Sequence, residues 1–171
     1  EYNKNQDQAV NLLQLWVFPH TQNVSPRYDQ KNIAALKKPN TFYPIVTPDP
    51  SGPALWIHQD AWFHLGEFDQ ETTLTYTLHK PGNGVYAFVI EGGGQIAEET
   101  LGKRDALGIW LSDSFSITLP PFPRLHSCHH LTSLFPSSSS IYPLPSSSFP
   151  SLLSLFFFFF SFPLFLSLLF S

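Results

Sequence analysis

Two histidines with a nearby carboxylate form the first group of residues that could do chemistry. His58 and His64 lie in the run WIHQDAWFHLG, and Asp60 stands between them. A carboxylate that orients an imidazole can make it a general base. Positions one or two apart on a strand, however, point to different faces of a sheet. The favoured interpretation is therefore structural: the polar tips form hydrogen bonds in and around a core filled by Trp56, Trp62 and Phe63.

A second group, in the run HSCHH, could bind a metal. It contains His126, Cys128, His129 and His130. Zinc sites usually combine two separated pairs of ligands, and this run has no such spacing. Because it also borders a low-complexity stretch, the sequence does not predict a metal site here.

The charge balance and the cysteine content exclude several classes of protein. The net charge is −4 and the pI is about 5.9, which argues against nucleic-acid binding because phosphate contacts require clustered Lys and Arg. Cys128 is the single cysteine, so an intrachain disulfide is excluded and a cytoplasmic location is expected. No signal peptide pattern opens the chain, and the sequence contains no methionine. We expect the start at Glu1 to be a truncation.

The sequence changes character near Thr118. All 13 acidic residues precede this position, and after it only Arg124 is charged. From Pro143 to Ser171 every residue is Phe, Leu, Ser or Pro. Codons of these four residues can begin with two pyrimidines, so the stretch is typical of translated non-coding DNA. We expect residues 119–171 to be a disordered low-complexity tail that makes no specific fold.

A transmembrane helix is the alternative interpretation of the apolar run from Leu152 to Phe170. Its length could just span a bilayer. Against this stand Pro163 in its interior, the interspersed serines, and the lack of flanking Lys, Arg, Trp or Tyr anchors. Membrane association is therefore not favoured.

The part before Thr118 has the rhythm of an all-β domain. Short runs of strand-forming residues alternate with turn signals such as PDPSGP, KPGNG and GGG. This spacing predicts a sandwich or barrel. The predicted strands include Val10 to Phe18, Thr72 to His79, Val85 to Gly92 and Ser114 to Thr118, with Leu74, Tyr76, Val85, Phe88 and Ile90 among the buried residues. Only Lys31 to Lys38 looks helical, and the strand after Gly94 is in doubt.

Six blocks in this region resemble bacterial proteins of the pirin family. In order, they are EYNKN, LQLWVFP, PRYDQ, the pair WIHQDAWFHLG and GNGVYAFVIEG, and KRDALGIW. Members of that family are bicupins, with two β-barrels in one chain, and some are quercetin 2,3-dioxygenases. The resemblance covers only the family's C-terminal half. It implies a remnant of the N-terminal cupin at residues 1–18, a linker at 19–44, a C-terminal cupin at 45–118 and the tail at 119–171.

The resemblance also implies where the family's metal lies. Its N-terminal barrel holds an iron, nickel or copper ion through three histidines and one glutamate, and that glutamate begins a segment reading Glu-Tyr-Asn. Glu1 matches it, while the three histidines have no counterpart in this sequence. One carboxylate cannot hold a first-row metal by itself. We therefore expect Glu1 to be a terminal residue without a metal in this chain.

The C-terminal barrel can be compared with the general cupin metal motif, which has His-x-His, then Glu, then Gly seven residues later. Counting back from Gly92 places Val85 at the glutamate, Pro81 at the second histidine and His79 at the first. A later histidine would fall near Leu107. Only His79 is retained, so this count predicts that the chain contains no cofactor.

Two functions remain open from the sequence. The intact protein could be a metal-dependent dioxygenase that binds a flavonol, or a non-catalytic pirin-like binding protein. In both cases the expected partner is the N-terminal cupin domain that the sequence lacks. The strand from Val10 to Phe18 would then be an exposed apolar edge or dock elsewhere, so we expect the isolated chain to aggregate.

Overall fold

Apart from one short 3-10 helix at Ile33–Ala35, all regular structure in the described residues is β-strand. The computed structural model describes residues 6–7, 9, 11–120, 129–132 and 164–170. The chain divides into two compact units, one spanning residues 26–140 and the other combining residues 1–25 with 141–171. The helical turn is shorter than the sequence pattern indicates, and the side chain of Asn32 caps it by accepting a hydrogen bond from the Ala34 amide.

Two sheets build the 26–140 unit. The six-stranded sheet has the order β3-β2-β4-β11-β6-β9, and the four-stranded sheet has the order β5-β10-β7-β8. Neighbouring strands are antiparallel except β2 and β3, which are parallel. The strands of the first sheet are β2 (Phe42–Thr47), β3 (Leu55–Trp56), β4 (Phe63–Gly66), β6 (Val85–Val89), β9 (Ala106–Ile109) and β11 (His129–Thr132). Those of the second are β5 (Thr72–Thr77), β7 (Gly94–Ile96), β8 (Glu99–Leu101) and β10 (Ser114–Leu119). This architecture confirms the predicted all-β, cupin-type fold.

The core lies between the inner faces of these sheets. Strand β10 shows the alternation clearly, because Phe115, Ile117 and Leu119 are buried while Ser114 and Ser116 face solvent. Strand β6 contributes a second row of buried side chains at Val85, Ala87 and Val89. Of the residues predicted to be buried, Tyr76, Val85 and Ile90 are buried, whereas Leu74 and Phe88 are half-buried.

Strand β4 is buried on both faces, unlike its neighbours. All four of its residues are buried, and it lies between β2 and β11 inside the sheet. The close packing extends to Gly66, where an added Cβ would lie 2.7 Å from the Phe42 ring. A buried strand of this kind shows no alternation in its sequence, so its inward and outward residues cannot be told apart from pattern alone.

The segment preceding β2 is bound to the outside of the domain. The Arg27 guanidinium lies 4.2 Å from the centre of the Trp56 ring and donates a hydrogen bond to the Trp56 carbonyl. Lys31 donates from Nζ to the carbonyls of Pro53 and Ala54. These contacts make residues 27–31 part of the domain surface.

The glycine-rich turn at Gly92–Gly94 leads into a further hairpin. Gly92 adopts a positive φ of 83°, which glycine tolerates without steric cost. Strand β7 follows and pairs with β8 from Gly94 to Leu101, turning at Ala97, whose φ is 55°. A strand therefore does follow Gly94, which the sequence left in doubt.

Two strands of the described residues lie beyond Leu119, where the sequence predicts no specific fold. After three prolines at positions 120, 121 and 123, the chain returns as β11 and pairs with both β4 and β6. The prolines would break ladder hydrogen bonds, but β11 begins beyond them. The backbone N–H and C=O groups on the facing edges of β4 and β6 form their ladder hydrogen bonds with β11. The rest of residues 121–163 lies outside the described residues.

The second of these strands is β12 (Leu164–Phe170), which pairs in antiparallel register with β1 (Asn11–Val17). Strand β1 corresponds to the strand predicted at Val10 to Phe18. The sequence pattern did not indicate the end of the chain as a partner for this strand. Leu12 and Trp16 of β1 remain exposed. Within the described ranges, no helix has the length and apolarity needed to cross a membrane.

Candidate functional site

The residues singled out in the sequence end up in different surroundings. Glu1 lies outside the described residues, as do His126 and Cys128, while His129 and His130 belong to β11. His58 packs edge-on against Trp56, with ring centres 4.7 Å apart. Asp60 forms an ion pair with Lys80. These contacts agree with the structural interpretation of the segment around His58.

His64 has the most unusual position of the described histidines. It lies in β4 and is buried, with only 6% of its surface exposed. A buried imidazole requires hydrogen-bond partners because desolvation of its two nitrogens is costly. The Tyr76 hydroxyl, from β5 of the other sheet, lies 3.4 Å from Nδ1 of His64.

The second nitrogen of His64 faces another histidine. Nε2 of His79 lies 3.2 Å from Nε2 of His64, and the two rings are nearly parallel, with an interplanar angle of 8°. His79 follows the end of β5 and is partly exposed. The ring of Trp62 is stacked at 4.9 Å on that of His79. We call His64 and His79 the histidine pair.

Burial controls the protonation of this group. Desolvation, together with charge repulsion from the neighbouring His79, lowers the pKa of His64 to about 4. Desolvation also lowers the pKa of His79, and it raises the pKa of Tyr76 to about 12. At neutral pH the histidine pair is therefore uncharged and the tyrosine keeps its proton, so the group can donate and accept hydrogen bonds or offer nitrogen lone pairs.

The domain should lose stability in mild acid because of His64. Its pKa is about 6.5 in the unfolded chain and about 4 in the fold, so the unfolded state binds more protons between these values. The free energy of unfolding should fall as the pH decreases from about 6.5 to 4, by up to roughly 3 kcal/mol for this residue. Urea unfolding at several pH values, with a metal chelator present, measures the loss.

His64→Gln and His58→Gln provide the matched comparison for that prediction. Neutral glutamine at position 64 should weaken the pH dependence between 6.5 and 4 and leave only the smaller contribution of His79, whereas the change at position 58 should leave it in place. A steep dependence that survives in the His64→Gln protein would show that other groups cause it.

The contact between His64 and His79 could not be found from sequence spacing. The residues are 15 positions apart: His64 lies in β4 of one sheet, and His79 follows β5 of the other. The cupin motif singles out His79, and the segment WIHQDAWFHLG draws attention to His64, but neither signal joins them. In the described part of the chain no cluster of three or more His, Cys, Asp or Glu side chains is placed to hold a metal.

The two-sheet barrel has the fold of a cupin domain. Residues 44–120 match the family model described as the quercetinase C-terminal cupin domain. The resemblance to the C-terminal half of pirin-family proteins is thereby confirmed.

Relatives and solved structures are similar to about 70% of the chain. The quercetin 2,3-dioxygenase of Escherichia coli K12 is 24% identical over 117 residues, which cover 68% of this chain and 49% of the relative. The structure of the bacterial pirin YhhW from E. coli in complex with nickel(II) has a TM-score of 0.61 at 21% identity, covering 71% of this chain and 49% of that one. A second structure of YhhW has a TM-score of 0.62 at 22% identity, covering 73% and 50%. The structural likeness establishes the fold, and the chain spans about half the length of these proteins.

Proposed function

We propose that this chain supplies the C-terminal cupin domain of a metal-dependent oxygenase of the quercetin 2,3-dioxygenase type. The observation that carries the proposal is the match of residues 44–120 to the quercetinase C-terminal cupin domain. Two further observations support it: a relative with that activity in its name, and a similar fold in a nickel-bound pirin. The reaction site would lie in a second cupin barrel on the N-terminal side of this sequence.

The interior of the described barrel suits a supporting role. Val89, Ile117 and Leu119 are buried in one core cluster and fill the space between the sheets. A flavonol requires a cavity of several hundred Å³ lined with a few polar groups. Side chains packed in this way rigidify the domain and provide a stable surface against which the N-terminal barrel can fold.

Glu1 is the proposed link to the reaction site. By the family resemblance its carboxylate would be one of four ligands, together with three histidines of the N-terminal barrel. Carboxylate and imidazole donors suit iron, nickel and copper. The metal would bind the flavonol and activate it toward oxygen. The described residues contain no cluster of donors that could replace those histidines.

The proposal predicts a sharp difference between two proteins. This chain, supplied with nickel(II), iron(II) or copper(II), should consume no quercetin above the rate of the free metal. A protein extended at its N-terminus by the preceding coding sequence should consume quercetin and take up oxygen. Oxygen-electrode measurements and the loss of quercetin absorbance check both results.

Glu1→Gln in the extended protein tests the ligand. Loss of a carboxylate that binds the metal directly should reduce metal content and turnover by more than tenfold, since even changes to the residues that orient metal ligands cost 10–100-fold. Glu99→Gln, at an exposed position of β8, is the matched control and should change neither. If the extended protein binds metal fully but leaves quercetin intact, the oxygenase proposal is wrong and a non-catalytic, pirin-like binding function replaces it.

A further inference from the structure

Two distances within the histidine pair are close to those of two imidazoles that share one metal ion. An ion bound by two nitrogens at about 2.05 Å, with an N–metal–N angle of about 100°, holds those nitrogens about 3.1 Å apart. If both ring planes contain the ion, the ring centres lie about 4.9 Å apart. The observed values are 3.2 Å between the Nε2 atoms and 4.9 Å between the ring centres. The two ring planes are nearly parallel, with an interplanar angle of 8°.

We propose that His64 and His79 bind a divalent transition-metal ion through their Nε2 atoms, at a site separate from the oxygenase metal. The proposal does not depend on the function inferred above. It departs from the expectation that this chain contains no cofactor, which followed from a motif count that found His79 alone. The fold adds His64 as the second donor.

Tyr76 and Trp62 contact the histidine pair and could orient its rings without binding the metal themselves. Metal-binding histidines usually donate their other ring N–H to a nearby acceptor, which fixes the tautomer. The Tyr76 hydroxyl at 3.4 Å from Nδ1 of His64 can accept that hydrogen bond and so leave the Nε2 lone pair free. Trp62 stacks on His79 and restricts the orientation of its ring.

The donor set determines which ions bind and how tightly. Imidazole nitrogens favour copper(II), nickel(II) and zinc(II) over magnesium or calcium. Because the described residues offer no third His, Cys, Asp or Glu ligand, water completes the coordination. His79 is partly exposed, so an ion can enter from solvent. Such a site is open and exchangeable, and copper(II) should bind most tightly of the three.

Copper(II) titration of the full chain tests the site. One equivalent should bind with an electron paramagnetic resonance spectrum that shows coupling to two nitrogens. His79→Gln and His64→Gln should each weaken this binding by more than tenfold. Tyr76→Phe removes only the outer acceptor and should weaken it by roughly tenfold. His58→Gln, a histidine outside the pair, is the control and should bind as the unaltered chain does.

Zinc(II) titration of the unaltered chain provides a readout that needs no variant to fold. At one equivalent, the Nε2 resonances of His64 and His79 should shift together in histidine-selective nitrogen NMR spectra. The proposal fails if either resonance stays in place at saturation. It also fails if a folded His79→Gln chain keeps the two-nitrogen copper spectrum, since the ion would then be bound by other donors. Neither measurement involves quercetin, so these outcomes are independent of the oxygenase proposal.

Discussion

Replacement of Leu65 by alanine should lower the free energy of unfolding of the cupin domain by about 2–5 kcal/mol. Leu65 has no exposed surface, and it lies in β4, which pairs with β2 on one side and β11 on the other. The substitution removes three carbons and loses the free energy of their transfer out of water. It also leaves a cavity, which cannot close because β4 is held by β2 and β11 on its two sides. Because domains are stable by only about 5–15 kcal/mol, this loss is a large fraction of the free energy of unfolding.

Leu111→Ala is the matched control, because the same atoms are removed from a side chain that is 98% exposed. Its effect should stay within about 0.5 kcal/mol. Urea unfolding followed by tryptophan fluorescence and circular dichroism compares the two proteins. Equal midpoints would show that β4 does not lie in the core and would contradict its place between β2 and β11.

The fold class could be predicted because several strands have one buried and one exposed face. In β10 the sequence SFSITL alternates, and the structure buries its Phe and Ile as the alternation indicates. Turn residues such as Gly92 mark the strand ends. Both signals are local, so they are present in the sequence before any tertiary contact forms.

The candidate site could not be predicted in the same way, because it depends on contacts between sheets. Strand β4 is buried on both faces, so its sequence does not show which way His64 points. The approach of His79 to His64 requires the end of β5 to lie over β4, which no spacing along the chain specifies. Strand β11 was missed for a similar reason, because its four residues pair with strands that lie far earlier in the chain.

A chain that lacks residues 141–171 should self-associate through β1. In the structure, β1 (Asn11–Val17) pairs along its whole length with β12 (Leu164–Phe170). Deletion of β12 leaves a row of unpaired backbone N–H and C=O groups beside the exposed side chains of Leu12 and Trp16. An apolar strand with an open edge is a template for pairing with other chains. The truncated protein should therefore elute as aggregates in size-exclusion chromatography with light scattering.

Deletion of residues 1–25 together with 141–171 is the matched control. It removes β1 and keeps the compact unit of residues 26–140, which contains both sheets of the cupin domain and the contacts of Arg27 and Lys31 with its surface. This shorter protein should be monodisperse at concentrations where the single truncation aggregates. If both truncations aggregate equally, the association arises from the cupin unit itself. If neither truncation aggregates, β1 does not need to pair with β12 to stay soluble. The prediction that β1 causes aggregation is then wrong.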